Sequence, residues 1–588
     1  MAQSKARVQA AAQLSFEGGV DSNLLPRLLR GNQIAWATNC RIRGGTISPR
    51  PGFRKQALTF PVSGDDTLFQ TGKFQGAGFY VGSNGLGELM VSIGGRTFSI
   101  DADFDARDIS PEGDPNSSKA DLVTFEQAER WMIVQDGQAA PLIYNRSDSR
   151  RAYDLEVSSG SVCSYANGRL WCARGNFYTA GDLVGSSSGD PTIGRLDAVL
   201  KTTENTYLNE GGSFSTPTNS GNIQSLQVLT ALDTVLGQGD LLVFTEQSIF
   251  ATTVPTDRTQ WKNLSYPVQR LVAPTGTVGP FSPVNVNGDI YYRSSDGIRS
   301  LISARRDFKD GGMTPLSSEI QRALSFDSPA LLKHSSGVLF DNRLLHTCIG
   351  RTTERGVVHK GIVSLDFDPV SGLRVDASLA YDGLWTGLDF FHIVKGRLGT
   401  KERCFVFALS DSDEIELWEL DPELSDDWTD SDSCTPIEWF FETKSVSFDS
   451  PFEMKRLDRF EVWLRDVAGV VDFSLYTRPD SSTGWNLWRS WQESVKIQDG
   501  LDYNKPSYRP RRSVANPPNS QEDLDPKKPV DQGYEFQFRL SGTGSATVDT
   551  LRFFAEQRNE DVYPPCPPAV GVETENTSCP LDDFPQIP

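Results

Sequence analysis

The 588-residue sequence has few of the residues on which metal sites and acid-base catalysis depend. It contains only four histidines, His334, His346, His359 and His392, beside five methionines. None of the four stands in an H-E-x-x-H pattern or in a Cys/His ligand spacing. We therefore expect neither a histidine base nor a zinc site.

Cysteines are also sparse and carry no paired spacing. The eight are spread along the chain without a C-x-x-C motif, which excludes a dense disulfide framework and the common zinc patterns. We predict that most are buried free thiols. The sequence leaves open whether Cys566 and Cys579 form a disulfide bridge.

Long apolar runs and excess positive charge are absent as well. No apolar run reaches 18 residues, and the first residues lack the hydrophobic region of a signal peptide, so we expect a protein made in the cytoplasm with no membrane insertion. The 57 basic and 77 acidic residues give a net charge of −20. Tight nucleic-acid binding relies on clustered Lys and Arg, so we expect DNA to be repelled on average.

Three short segments match enzyme motifs only in part, because each lacks residues or elements that the motif requires. Gly185–Gly189 spells G-x-S-x-G but lacks the strand before and the helix after that a nucleophile elbow needs. Ser294–Arg299 is similar to the Asp-box of sialidases, yet Ile298 stands where Gly is required. Gly72-Lys73 has no Walker glycine ahead of it. We predict no catalytic, cofactor-binding or metal-binding residue and no enzymatic activity.

Short alternating strands separated by turn signals are abundant instead. In residues 239–302, Leu241–Thr245 and Ser248–Val254 flank a polar turn, and Ile290–Arg293 and Ile298–Ile302 flank an Asp-Gly turn. We interpret these four strands as one antiparallel unit. Gly94-Gly95 between two further strands indicates a primed hairpin turn.

Units of this kind recur along most of the chain, starting near residues 74, 131, 170, 241, 290, 338 and 405. A spacing of about 40–70 residues matches four-stranded blades with insertions. We predict a mainly β protein with a β-propeller of roughly five to seven blades. Two unrelated β-sandwiches are the alternative.

Other segments interrupt this pattern. Pro315–Ser325 predicts a short surface helix with Ser317 as N-cap and Ile320, Ala323 and Leu324 on one face. The acidic residues at 421–432 lack the spacing of a calcium loop, so we interpret them as a solvated linker. Residues 184–222 are rich in Gly, Ser, Thr and Asn and predict an exposed insertion.

Three domains follow from these patterns: an extended arm at 1–60, the propeller at 61–435 with its insertion near 184–222, and a β-sandwich at 436–588. Residues 1–13 predict a frayed arm or a short helix. At least five alternating strands between 437 and 554 predict the sandwich. The basic, Pro-containing stretch within 478–532 predicts a loop or a subunit contact, and 560–588 a Pro-rich tail.

The arm carries a recognisable pattern. Gly18-Gly19-Val20-Asp21-Ser22 is followed by Asn32–Asn39 (NQIAWATN) and by Arg50-Pro51-Gly52-Phe53. This opening resembles the β-propeller tail nozzle proteins of short-tailed bacteriophages, the tail tubular protein B group. Strings near 131–144 and 167–182 are similar to the same group, and the resemblance covers about two thirds of the chain in patches.

The resemblance implies a structural protein of the virion tail. Members form a ring, expected to be hexameric, below a tail adaptor; tail fibres or spikes attach outside, and viral DNA passes through the channel without specific binding. An acidic channel wall would let DNA slide because it offers no phosphate anchors. The alternatives are a propeller that binds or hydrolyses host glycans, and a non-viral propeller scaffold.

Overall fold

The chain is described by a computed structural model over residues 9–185, 196–203, 212–230, 238–263, 269–286, 288–304, 315–367, 380–430, 432–480, 482–494, 511–515 and 531–557. Residues 186–189 of the G-x-S-x-G string, the predicted Pro-rich tail, and Cys566 and Cys579 lie outside these ranges.

An N-terminal arm of five strands opens the described chain. The strands are β1 (Gln9–Leu14), β2 (Ile34–Thr38), β3 (Cys40–Arg43), β4 (Thr46–Pro49) and β5 (Gly52–Gln56). The expectation of a frayed arm or a helix is wrong for residues 9–13, because β1 pairs along its whole length with a C-terminal strand. The local sequence of residues 9–13 does not indicate this pairing, because the partner strand lies far away in the sequence.

Five separate antiparallel sheets follow, each one propeller blade. Blade 1 consists of β6 (Phe74–Val81), β7 (Gly87–Ile93), β8 (Arg96–Ile100) and β9 (Ala106–Asp108), and blade 2 of β10 (Thr124–Ala128), β11 (Trp131–Gln135), β12 (Leu142–Tyr144) and β13 (Ser149–Arg151). Blade 3 consists of β14 (Val162–Ala166), β15 (Arg169–Arg174), β16 (Phe177–Ala180) and β17 (Ser213–Ser215), and blade 4 of β18 (Ile223–Thr230), β19 (Gln238–Thr245), β20 (Ile249–Thr252) and β21 (Gln269–Ala273). Blade 5 consists of β22 (Val284–Val286), β23 (Asp289–Ser294) and β24 (Gly297–Ser300).

Two further groups of strands complete the ring. Blade 6 consists of β25 (Gly337–Phe340), β26 (Arg343–Thr353), β27 (Gly356–Asp366) and β28 (Ala380–Trp385). Blade 7 consists of β29 (Asp389–Leu398), β30 (Lys401–Leu409) and β31 (Ile415–Asp421), with arm strand β5 as its outermost strand. Strand β25 contacts β22 and β29, and β29 contacts β6, so the seven blades close on themselves.

The predicted propeller is therefore present. Five of the predicted unit starts fall in the five separate sheets, and those near 338 and 405 fall in β25 of blade 6 and β30 of blade 7, which belong to a larger sheet. Gly94 and Gly95 both have positive φ, as a primed hairpin turn requires. The grouping of 239–302 into one unit is wrong: β19 and β20 belong to blade 4, whereas β23 and β24 belong to blade 5. Hairpin signals identify paired strands but do not say which hairpins share a sheet.

A β-sandwich follows the propeller. It is built from β34 (Glu438–Thr443), β35 (Lys455–Pro479), β36 (Asn486–Ser494), β37 (Arg511–Ala515), β38 (Gln532–Gly533) and β39 (Phe536–Gln557). The long β35 and β39 pair twice, once near each end, with register shifts between Arg465 and Asp472. Their two halves form opposite layers, and Phe538 of one stacks on Phe553 of the other at 3.6 Å between ring centroids.

Two expectations for this region are corrected. Four of the predicted strands are halves of the two long strands, because the bends interrupt the alternation without ending the pairing. The segment 478–532 is not only a loop: it contributes β36 and β37. Trp488 of β36 is buried against Phe460 and Phe553 of the opposite layer. Lys505, Arg509, Lys527 and Lys528 lie outside the described residues.

The acidic stretch at 421–432 is not a solvated linker. Within it, β32 (Asp426–Trp428) pairs with β33 (Cys434–Pro436) and forms a bridge to β5 of the arm. Acidic and polar residues predominate in this stretch, so it lacks the apolar alternation that predicts a strand. The hairpin pairs with the arm and has no apolar core of its own.

Helices are short. They include α1 (Asp65–Thr71), α2 (Gln321–Leu324), and 3₁₀ turns at Pro26–Leu28, Asp197–Leu200, Thr218–Ser220, Arg258–Asn263, Leu316–Ile320 and Leu332–His334. Residues 301–304 are also helical. Ile320, Ala323 and Leu324 are buried together as predicted, but Ser317 is no N-cap. Its Oγ accepts a hydrogen bond from the Ile298 amide instead. No helix among the described residues has the length and apolarity to cross a membrane.

Candidate functional site

The arm residues that carry the sequence resemblance hold the propeller and the sandwich together. At their centre the Arg50 side chain is only 1% exposed and pairs with Asp427 through both terminal nitrogens, at 2.9 and 2.6 Å. Its Nε and Nη2 also donate to the Thr386 carbonyl, which follows blade 6. Every nitrogen of the guanidinium thus has an acceptor, as a buried charge requires.

Asn39 and Gly52 complete this cluster, which we call the arm clasp (Asn39, Arg50, Gly52, Thr386 and Asp427). The Asn39 side chain accepts from Arg50 Nε at 3.2 Å and from the Thr386 amide at 2.6 Å, and donates to the Glu438 carbonyl of β34. A Cβ at Gly52 would lie 2.1 Å from the Asp426 carbonyl oxygen, so only glycine fits there. The clasp joins arm, blade 6, the β32–β33 hairpin and the sandwich.

A second polar anchor fixes β3 to blade 6. Asp382 is fully buried and accepts hydrogen bonds from the Ile42 amide at 2.7 Å, from Arg343 Nε at 2.8 Å and from Ser364 Oγ at 2.7 Å. Arg343 also contacts buried Asp366 at 3.4 Å. Because Asp382 receives both an arm amide and a blade side chain, it sets how the arm lies on the propeller.

The first half of the resembling pattern serves the same purpose. The Val20 amide donates to the Tyr381 carbonyl of β28, and the Ser22 amide and hydroxyl both donate to the Glu319 carbonyl. Asp21 accepts from the amides of the next residues and so fixes the local turn. The GG-x-D-S pattern is therefore a docking sequence for the arm.

Beside these buried contacts the arm exposes an apolar turn. Leu24, Leu25 and Leu28 are 43%, 57% and 60% exposed. The turn is fixed by a hydrogen bond from the Ser445 amide to the Pro26 carbonyl. Three exposed leucines within five residues, held by a rigid backbone, form a small apolar surface, which we call the leucine turn.

A cavity lies between the innermost strands near the propeller axis. This cavity of about 270 Å³ lies among the innermost strands of blades 2 to 5, lined by Glu126, Ser164, Tyr165 and Asn285 among others. That volume equals about nine liquid waters at ~30 Å³ each. Phe125 packs on Gly78, and Phe281 contacts His392 at 4.6 Å between ring centroids. In the described part of the chain, these aromatic side chains therefore occupy part of the space between the innermost strands.

Glu126 is the acidic group of this cavity. Burial raises its pKa to about 7, although the Tyr165 amide, which donates to it at 2.6 Å, acts in the opposite direction. No second carboxylate lines the described part of the cavity. A pair of carboxylates, as glycosidases use, is not assembled there.

The four histidines come closer together than their spacing suggested, all in or beside blade 6 and blade 7. Burial lowers the pKa of His392 and His346 to about 3 and that of His334 and His359 to about 4, so all four are neutral near pH 7. No group of three or more His, Cys, Asp or Glu in the described chain has a metal-binding arrangement.

One of these histidines joins a charged cluster. Although burial acts to raise the pKa of Asp121, hydrogen bonds from Lys333 and Lys73 hold it at about 2. His334 lies 3.4 Å from the same carboxylate. These residues link the loop before blade 2 to the loop before blade 6 across the ring.

The Asp-box-like turn is satisfied within its own hairpin. Asp296 pairs with Arg299 at 2.6 Å and accepts from Ser294 Oγ at 2.6 Å. Arg299 is 4% exposed. The turn closes β23 onto β24 and presents no free catalytic group.

No protein-family model matches the sequence, and no curated protein matches it. Similar solved structures include BamB from Moraxella catarrhalis, with 7% identity over 64% of this chain and 92% of that one at a TM-score of 0.31. PorZ of Porphyromonas gingivalis has 12% identity, covering 69% and 44%, at 0.30. Trypanosoma rangeli sialidase has 8% identity, covering 87% and 96%, at 0.27. Likeness at this level carries no argument about function.

Proposed function

We propose that the protein is a structural subunit of the tail nozzle of a short-tailed bacteriophage. Six copies form a ring below the tail adaptor, tail fibres or spikes attach to its outside, and the genome leaves through the channel between the copies. The protein is made in the host cytoplasm and resides in the virion tail.

The observation that carries this proposal is the double role of the arm residues. The residues of the nozzle-like pattern, from Gly18 to Phe53, are those that fix the arm to blade 6 and to the sandwich. A wall subunit under pressure from a passing genome needs its domains joined rigidly. Buried, fully hydrogen-bonded polar contacts join domains in one geometry, which apolar contacts alone do not impose.

We place the DNA path between copies and not along the axis of one propeller, where the innermost described strands surround a cavity of about 270 Å³. The net charge of −20 per chain gives about −120 for six copies. A wall of this sign offers no continuous set of phosphate anchors, so DNA slides past it. A continuous Lys/Arg stripe facing the lumen of the assembled ring would contradict this mechanism.

We assign the leucine turn to the contact with the next copy. Its leucines are exposed in the single chain, and the arm that carries them is held rigidly, so burying them costs little ordering entropy. The occupant of this surface is a second copy of the same chain.

Electron microscopy and native mass measurement of the purified protein test the proposal. We expect closed rings with about six times the chain mass of 64.9 kDa. The double variant Leu25→Lys/Leu28→Lys is expected to shift the population to single chains. Val62→Lys, at an equally exposed position of 60%, is the matched control and keeps the rings. Single chains from the unmodified protein, alone and with its adaptor, would overturn the proposal.

Glycan binding or hydrolysis is the rival function, and the axial cavity is the only described feature that favours it. Incubation with capsule or lipopolysaccharide separates the two. We expect no released sugar product and no change on Glu126→Gln. Product release that Glu126→Gln abolishes would replace the nozzle proposal with the rival.

A further inference from the structure

Two cysteines face each other across the innermost hairpin of blade 3. Cys163 of β14 is the register partner of Cys172 of β15. Directly opposed residues of antiparallel strands point to the same face, with Cα atoms about 4.5–5.5 Å apart. That separation lies within the range of about 4.4–6.8 Å that a disulfide spans. Their Sγ atoms approach to 2.6 Å.

The side-chain amide of Gln135 lies against both sulfurs. Gln135 of blade 2 is 2% exposed, and its Nε2 donates to Cys163 Sγ at 2.6 Å and to Cys172 Sγ at 3.4 Å. This amide nitrogen can donate to a thiol or to a disulfide sulfur. The opposed register and the short separation of the two sulfurs therefore indicate the pair, whereas the hydrogen bonds do not distinguish its redox state.

The two sulfurs differ in access. Cys163 is partly exposed and lines the axial cavity beside Glu126, whereas Cys172 is 6% exposed. The other described cysteines are not placed in this way: Cys40, Cys348 and Cys404 are buried on separate strands, and Cys434 is exposed.

We propose that Cys163 and Cys172 form a cross-strand disulfide, made by thiol-disulfide exchange with a small disulfide that enters from the axial cavity. The Cys163 thiolate attacks the reagent, forms a mixed disulfide and releases one small thiol. The Cys172 thiolate then attacks the Cys163 sulfur and releases the second small thiol. The protein loses two hydrogens and two electrons, and the reagent gains them. The bond ties the axial strand of blade 3 to its neighbour.

Burial raises the pKa of the Cys163 thiol well above its usual value, so little thiolate is present at neutral pH. We therefore expect formation of the bond to accelerate between pH 7 and pH 8.5, because the thiolate is the attacking species.

The test uses the folded full-length protein, glutathione disulfide as reagent, and alkylation before digestion. Trypsin cuts after Arg151, Arg169 and Arg174, so Cys163 and Cys172 lie on the separate peptides 152–169 and 170–174. We expect these peptides to appear as one species that reductant splits. Separate, alkylated peptides after oxidation would overturn the proposal.

Single variants test the order of attack. Cys172→Ser is expected to stop at a glutathione adduct on Cys163, whereas Cys163→Ser leaves Cys172 modified at least tenfold more slowly. Cys434→Ser, at an exposed cysteine, is the matched control and leaves the linked peptides unchanged. Equal adduct formation by both single variants would contradict entry from the axial cavity.

Discussion

The blade cores and the arm clasp hold the molecule together by opposite means. In the core between blades 1 and 7, apolar side chains such as Leu89, Phe98 and Phe405 pack together, mostly from strands joined by short turns. In the clasp the contacts are polar, and Arg50 and Asn39 of the arm meet Asp427, which lies 377 residues after Arg50 in the sequence. Apolar packing tolerates several arrangements, whereas a buried ion pair is stable only when each partner is in place.

The blades and the arm clasp therefore contribute differently to the stability of the fold. The blades fold from local hairpins and supply most of the buried apolar surface. The clasp contributes less buried apolar surface, but it determines that the arm, blade 6, the β32–β33 hairpin and the sandwich are joined and sets the angle between them. Single substitutions change one side of this comparison at a time.

The largest effect is expected for Arg50→Met, which leaves Asp427, with only 17% of its side chain exposed, without its partner. Removing one member of a buried ion pair typically costs about 3–5 kcal/mol. We expect that loss in the free energy of unfolding measured by urea denaturation, and faster hydrogen exchange in β5 and β31. Arg54→Met, at an exposed position on the same strand, is the control and changes stability by less than about 0.5 kcal/mol. Equal effects of the two variants would refute the clasp.

Asp382→Asn changes the second anchor. The amide that replaces the carboxylate carries no charge opposite Arg343 and one acceptor fewer for Ile42 and Ser364. We expect a loss of about 2–3 kcal/mol. Asp389→Asn removes the exposed pair with Arg351 and is expected to cost less than about 1 kcal/mol. If the two variants unfolded alike, Asp382 would not hold the arm.

His392→Gln examines a polar group on the axial side of the blades. The pKa of His392 is lowered to about 3 in the folded state, so between about pH 6.5 and pH 3 only the unfolded chain takes up the proton. Stability is therefore lost as the pH falls. At pH 5 this histidine costs the wild-type protein about 2 kcal/mol relative to pH 8. The variant lacks that part of the loss, and identical pH profiles from chemical denaturation would exclude a buried neutral His392.

The smallest effect is expected for Gly52→Ala. The added methyl would meet the Asp426 carbonyl oxygen, so β5 and β32 must move apart. Overpacking of this kind costs about 1 kcal/mol or more. Gly31→Ala, which has no atom within 4 Å of the new methyl, is the control. Thermal unfolding of both variants measures the difference, and a stable Gly52→Ala protein would show that the clasp yields without cost.

The elements that the sequence predicted well are those whose partners lie nearby. The turn at Gly94-Gly95 and the hairpin around Asp296-Gly297 are present, because turn residues and alternation act within ten residues. The seven unit starts fall in seven blades for the same reason. The buried face of the short helix, with Ile320 and Leu324, follows from its periodicity.

The structural predictions were wrong where a segment pairs with another that lies far away in the sequence. Strand β1 was expected to be frayed or helical, and the acidic stretch around Asp427 to be a solvated linker, since neither carries a local signal. The candidate site was missed for the same reason. The pattern around Arg50 suggested a family, but nothing in the sequence identified Asp427, Thr386 or Asp382 as its partners.

The sequence by itself determined the β class, the presence of repeated hairpin units and the absence of a local metal or nucleophile motif, because these depend on neighbouring residues. Only the tertiary structure decided that the arm supplies the last strand of blade 7 and extends both layers of the sandwich, and that Cys163 faces Cys172 beside the axis. Those outcomes depend on contacts between distant segments, whose geometry is set by the closed ring as a whole.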